Sequence, residues 1–352
     1  MWPTIIHLEL PFWPHEFDIR SYGLMLMIGF LGGTWWAARR AQRVKANPEL
    51  VVNCGFVALI AAIVGARLFY VIHYWDQHFA GRGFWAAVNI TAGGMEFYGG
   101  FLGAVSALLV YLWWNKASWR LYLDIFAPSL AFGLAVTRVG CFLNGCCWGG
   151  VCPEHLPWAV HFPYGSAPFV RQWDERTVAL PAEFIYVSRS GTQAWPINPA
   201  PDDPKYADAL AGQARKFGRT PKELVAEAST MHSSSLHPAQ LYASINAALL
   251  AFLLSVVFYR RKRQGIVLAL FLTLYPIMRV FEEIIRMDNP HDTAGLTISQ
   301  FVSVLIFVTG VSLFVILRRL PLRSPKAVPY VPPWEQEEAK KPEKPKERGK
   351  RR

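Results

Sequence analysis

Charge is what this sequence has least of. Only 17% of its 352 residues are Asp, Glu, Lys or Arg, which excludes a chain kept disordered by self-repulsion and argues against an ordinary soluble domain. Acidic residues are fewer than basic ones, 25 against 36. Most of that imbalance is local, because residues 318 to 352 hold twelve Lys and Arg against five Glu, or +7 of the formal +11. This Pro-rich end reads as a disordered cytoplasmic tail drawn to anionic headgroups, and no nucleic-acid partner is expected. Residues 1 to 21 lack a basic n-region and a small-residue cleavage site, so no signal peptide is expected. No internal repeat is evident, although membrane transporters often show two related halves.

What is abundant is apolar surface. Hydrophobic residues make up 53% of the chain and aromatic ones 14%, gathered into seven runs near the length needed to cross about 30 Å of hydrocarbon. They lie at roughly 22–38, 51–75, 95–114, 121–140, 239–259, 265–286 and 298–317. The fold class expected is all-α integral membrane with about seven transmembrane helices. Arg39, Arg40, Arg43 and Lys45 follow the first run, Lys116 and Arg120 the third, and Arg260 to Arg263 the fifth. All fall on one side, which puts the N-terminus outside and the C-terminus inside. His15, Glu16, Asp18 and Arg20 look like an amphipathic approach to the first run.

The expected organisation is therefore membrane helices over 1–149, an external helix and loop insert over 150–236, membrane helices over 237–318, and the basic tail over 319–352. In the insert, apolar residues at helical spacing follow Pro204, and Thr220-Pro221 is a start signal for a second short helix. A loop this long is unusual unless it folds as a lid or binding element.

Ionisable residues inside membrane spans are costly and tend to mark function. The segment YPIMRVFEEIIR places Arg279, Glu283 and Arg286 at i, i+4 and i+7, on one helical face. A single such pair would read as a clamp between helices. Three alternating charges, with Arg138 and Arg67 in or beside other spans, point instead to a site. Tyr22, Tyr98, His237, Gln240 and Tyr242 open their spans at a common outer depth. Each alone would be an aromatic-belt anchor or a loop residue. Gly93, Gly94, Gly99, Gly100 and Gly103 surround Tyr98 and suit either tight packing or an approaching ligand.

Four of the five cysteines, Cys141, Cys146, Cys147 and Cys152, stand at C-x4-C-C-x4-C spacing across the exit of the fourth span. They read as small buried residues or free thiols, as outer-side disulfides, or as metal or redox ligands, and the spacing matches no familiar zinc pattern. No metal and no cofactor is expected.

In this order the pieces resemble the prolipoprotein diacylglyceryl transferase family. They are YGLM at Tyr22, Arg67 in GARLFYV, GGMEFYGG over 93–100, RVGCFLNG over 138–145, HPAQLY over 237–242, RVFEE from Arg279, and Ser299-Gln300 opening the last span. The resemblance implies a bacterial inner-membrane enzyme that moves the diacylglyceryl group of phosphatidylglycerol to the lipobox cysteine of a prolipoprotein signal peptide, forming a thioether. It implies catalytic roles for Arg138, Arg279, Glu283 and Tyr98, and lipid-headgroup contacts from Arg138, Tyr22, Asn144, His237 and Tyr275. Many family members carry His where this chain has Tyr98, Asn where it has Cys141 and Glu where it has Cys146. Two rivals stand beside this reading. A membrane thiol oxidoreductase would use the cysteines but leaves the arginines and Glu283 without purpose, and a lipid transporter or binding protein would use the charges without chemistry.

Overall fold

The computed structural model describes residues 4–8, 17–81, 83–90, 93–187, 194–196, 204–286 and 297–332. His15 and Glu16 of the expected amphipathic approach, and the tail from residue 333 onward, lie outside them.

The order of elements is β1 (Thr4–Leu8), β2 (Phe17–Arg20), α1 (Ser21–Arg43), α2 (Pro48–His73), α3 (Phe84–Val88), α4 (Phe97–Trp114), α5 (Trp119–Asn144) and α6 (Ala167–Asp174). Then come β3 (Ile185–Val187), β4 (Ala194–Pro196), α7 (Pro204–Lys216), α8 (Pro221–Ala228), α9 (Ala239–Arg260), α10 (Ile266–Ile285) and α11 (Ile298–Arg319). Among the described residues the strands make two antiparallel pairs, β1 with β2 and β3 with β4, and the rest of the described architecture is helical.

Among the described residues five helices, α2, α4, α5, α9 and α11, are long and apolar enough to cross a membrane. The first and sixth expected runs are helices too, α1 with 23 residues and α10 with 20. They fall short for physical reasons: α1 is diluted by Gly23, Gly29, Gly32 and Gly33, and α10 carries Arg279, Glu282 and Glu283 near its end.

Packing divides the chain into two compact units, the first built from residues 1–33, 130–256 and 269–315, the second from 34–129, 257–268 and 316–352. In the second, α2 starts behind Asn47, whose Oδ1 accepts from the amides of Glu49 and Leu50 at 2.9 and 3.3 Å and so satisfies two donors that a helix start leaves open. Glycine lets α2 and α4 touch backbone to backbone. A Cβ at Gly65 or at Gly99 would run into the other's carbonyl oxygen, the small-residue contact that brings membrane helices together. Of the glycines around Tyr98, Gly99, Gly100 and Gly103 thus serve packing against α2, while Gly93 and Gly94 take left-handed turns in the loop before α4.

Arginines that mark sidedness in the sequence turn out to be structural in this unit. Arg40 is fully buried, bonded to the Ile125 carbonyl at 3.1 Å and Ser129 Oγ at 2.9 Å. Arg120 donates to the carbonyls of Gln264 and Pro321. Arg261 pairs with buried Asp124 at 3.0 Å, and Asp124 also accepts from the Gly265 and Leu268 amides at 2.7 and 2.9 Å. A carboxylate on α5 therefore caps the start of α10.

In the first unit, α1 lies close to α5 because Gly29 sits against Gly133, and Gly140 against Tyr22 and Met25. Ser244 of α9 donates to the Ala135 carbonyl of α5 at 2.8 Å. Residues 150–236 carry their own small core of Tyr164, Phe169, Phe184, Leu210, Ala214, Leu224 and Ala228. Thr220 caps α8 in a capping box with Glu223, and Arg219 bridges Glu183 at 2.7 Å and Glu227 at 2.5 Å. Within the insert Val160 bridges to Leu236 and Pro163 to His232, and the Gly150 amide ties its start to the Ile285 carbonyl at the end of α10.

Candidate active site

The site grows from the end of α5. Gly145 turns left-handed at φ +77°, its amide donates to the Phe142 carbonyl at 3.2 Å, and the Cys146 amide donates to the Cys141 carbonyl at 3.1 Å. This is the Schellman stop, which satisfies the last carbonyls of a helix and brings the second residue past its end over the turn it came from. The chain then runs extended, with the Gly149 amide bonded to the His237 carbonyl, the Gly150 amide to Ile285 and the Cys152 amide to Ser235, at 3.0 to 3.1 Å. One turn of loop thereby joins the ends of α5, α9 and α10.

On α10 the charged face forms as the spacing predicts. Arg279 Nη2 meets Glu283 Oε2 at 2.5 Å, and Arg286 approaches the same oxygen at 3.8 Å. Glu283 is 5% exposed. Glu282, which the sequence reading passed over, faces Arg279 Nη1 at 3.8 Å, too long for a hydrogen bond. Arg279 Nη1 is buried with no hydrogen-bond partner among the described residues. The available signal was spacing, since Glu282 and Glu283 stand three and four residues after Arg279, the two separations that bring side chains together on a helix.

Arg138 of α5 is half-buried and donates no hydrogen bond among the described residues. It shares an electrostatic neighbourhood with Glu282, Tyr275 and Arg279 on α10, and with Tyr22 on the first turn of α1. Of the expected residues, Arg279 and Glu283 are in direct contact, while Arg138, Tyr275 and Tyr22 lie within electrostatic reach of this group. Asn144 lies beside the Cys146 thiol. His237 stands 3.2 Å from the Tyr242 hydroxyl and lines an adjoining cavity of about 470 Å³ with Gly150, Trp158, Tyr242, Ile284 and Ile285. Gln240 is fully buried and donates to the Cys146 carbonyl at 2.7 Å.

Two expectations fare differently. Arg67 belongs to the second unit and spends its guanidinium on four carbonyls, those of Ala86, Ala87, Gly93 and Gly94, at 2.7 to 2.9 Å. It ties down the loop before α4, with every nitrogen of the guanidinium engaged by a backbone carbonyl. Tyr98 also belongs to the second unit, on the first turn of α4, with its ring edge-on to Phe97.

The contrast between the arginines defines what the site can do. A guanidinium out of water is stable only with its donors satisfied. Arg67 meets that condition within the protein, while Arg138 and one nitrogen of Arg279 do not. Paired forks of this kind suit an anion with several oxygens, such as a phosphate.

Comparison with known proteins identifies the family. The family model for prolipoprotein diacylglyceryl transferase matches residues 11–316. A protein of Bdellovibrio bacteriovorus named phosphatidylglycerol–prolipoprotein diacylglyceryl transferase is 29% identical over 86% of this chain and 90% of its own length. One of the same name from Burkholderia cenocepacia is 28% identical over 89% of this chain and 93% of its own. Another from Aliivibrio salmonicida reaches 37% over 44% of this chain and 53% of its own. From the order of its motifs and a match spanning nearly all its helices, the chain belongs to the prolipoprotein diacylglyceryl transferase family.

Proposed function

We propose that this protein transfers the diacylglyceryl group of phosphatidylglycerol to the lipobox cysteine of a prolipoprotein signal peptide in the inner membrane of a bacterium. The observation that carries the proposal is Arg138, a half-buried cation with no hydrogen-bond acceptor of its own among the described residues, in the same field as Arg279. In the reaction the cysteine sulfur attacks the glyceryl carbon, the carbon–oxygen bond to phosphate breaks, and the electron pair leaves on glycerol phosphate. The sulfur must first give up its proton, since the thiolate is the nucleophile.

Arg138 and Arg279 would grip the phosphate and stabilise the charge that grows as the bond breaks. Glu283, held between Arg279 and Arg286, would fix the Arg279 fork. Tyr22, Asn144, Tyr275 and His237 would shape the headgroup site. The role we assign to Tyr98 is a hydrogen bond to lipid rather than proton transfer, because an unperturbed phenol with a pKa of about 10 is a weak base at neutral pH. On this reading α1 and α10 also cross the membrane, giving seven spans with the N-terminus outside, residues 150–236 on the outer face and the tail in the cytoplasm.

The test is transfer of labelled phosphatidylglycerol to a lipobox peptide by the purified protein, with a Cys→Ser peptide as control. Thioether-linked product on the cysteine peptide alone is expected. Binding of lipid without product would leave a lipid-binding protein.

A further inference from the structure

Of the four cysteines that cluster in the sequence, three converge in space. The sulfurs of Cys141, Cys146 and Cys147 all lie within 4.8 Å of one another. Cys152 is buried apart, its backbone paired with Ser235. All five cysteines of the chain are free thiols.

The convergence is built by the backbone. The helix stop places the residue five positions after Cys141 above it, where an apolar contact frequently accompanies this motif. Here that position is Cys146. The next residue, Cys147, sits at φ +60°, a left-handed conformation that side-chain-bearing residues adopt uncommonly and that must be held by its surroundings. Gln240 supplies part of that hold by bonding the Cys146 carbonyl at 2.7 Å. The third sulfur is therefore turned toward the other two by a conformation the chain does not choose for itself.

We propose that Cys141, Cys146 and Cys147 form a binding site for one soft, thiophilic metal ion, with copper(I) the best fit. Thiolates bound at about 2.3 Å from a central ion stand about 4 Å apart, so the three sulfurs need to close by less than about 1 Å. The donor set is sulfur only: the metal-ligating groups gathered among the described residues are these three thiols, with no His or carboxylate among them. A structural zinc site wants four protein ligands, whereas soft thiolate sets select copper(I). Charge also suits the ion. Three thiolates and one copper(I) sum to −2, and Arg286 and Arg138 both lie in the field of Cys147. Binding releases the proton of each thiol that is neutral beforehand and needs no oxidant.

The experiment uses the full-length, reduced protein in lipid nanodiscs. Copper(I) is titrated against the chromogenic chelator bathocuproine disulfonate, and the thiols are then mapped by N-ethylmaleimide labelling and mass spectrometry. One copper(I) per chain is expected, with Cys141, Cys146 and Cys147 protected from labelling in its presence. Cys147→Ser should weaken retention at least about tenfold, in the range expected when a metal site loses a supporting group, while Cys54→Ser and Cys152→Ser should not. The labelling arm uses the wild-type chain and does not depend on a variant folding. Copper lost entirely to the chelator, unchanged labelling of the three thiols, or equal retention by Cys147→Ser would each overturn the proposal. The readout is metal, so its failure is distinct from failure of lipid transfer.

Discussion

Replacing Arg138 by alanine separates a functional arginine from a structural one. Arg138 makes no hydrogen bond among the described residues, so its loss should cost the fold less than about 1 kcal/mol, as for a substitution that breaks no buried contact. Its contribution to the reaction would come from two charge-assisted hydrogen bonds to the phosphate, at about 1.5–3 kcal/mol each. Together they amount to about 3–6 kcal/mol, and at 1.36 kcal/mol per factor of ten the rate should fall about 10²- to 10⁴-fold. Arg67→Ala is the control, because it removes four bonds to carbonyls and should lower thermal stability and yield. The assay pairs initial rates of lipid transfer with a detergent-solution melting curve for each variant. If Arg138→Ala keeps more than a tenth of wild-type turnover while folded, the phosphate grip does not run through this residue. A melting loss for Arg138→Ala as large as that for Arg67→Ala would refute the distinction itself.

Arg279→Lys should cut turnover at least about tenfold with little change in melting, because an ammonium cannot offer Glu283 and a phosphate two parallel bonds at once; unimpaired kinetics would make Arg279 a structural residue. Asp124→Ala leaves Arg261 buried without its carboxylate and uncaps α10, and should destabilise by about 3–5 kcal/mol, read as loss of folded protein with specific activity per folded molecule retained. Tyr98→Phe should weaken lipid transfer if its hydroxyl bonds the phosphate, and complementation of a strain depleted of its own transferase by the Phe variant at wild-type level would exclude that role. Thr220→Ala removes the α8 cap and should cost about 1 kcal/mol in chemical denaturation, without effect on transfer.

Much of this was legible in the sequence, and the reasons differ by residue. The charged face of α10 follows from helical periodicity alone, because Arg279, Glu283 and Arg286 need no partner element to find one another. Helix positions followed from apolar runs for the same local reason. The use of an arginine is another matter. Arg67 and Arg138 look alike in the sequence, yet Arg67 is consumed by carbonyls 19 to 27 residues downstream, a fold-back that no local pattern announces. Arg40, Arg120 and Arg261 were read by their side of the membrane, a property of net charge that says nothing about burial. The three thiols were hidden because linear spacing measures distance along the chain. Only the stop at Gly145 and the left-handed turn at Cys147 convert that spacing into proximity.

The reach of Asp124 across the chain bears on how the protein is made. Its carboxylate emerges from the ribosome 141 residues ahead of the Gly265 amide it serves. Until that later segment arrives, the acid has neither its amides nor Arg261, and must wait near water or lie unpaired in lipid. Biogenesis of this enzyme is therefore not a procession of independent insertions. A nascent chain halted within α9 carries an acidic group with neither its ion-pair partner nor its amides.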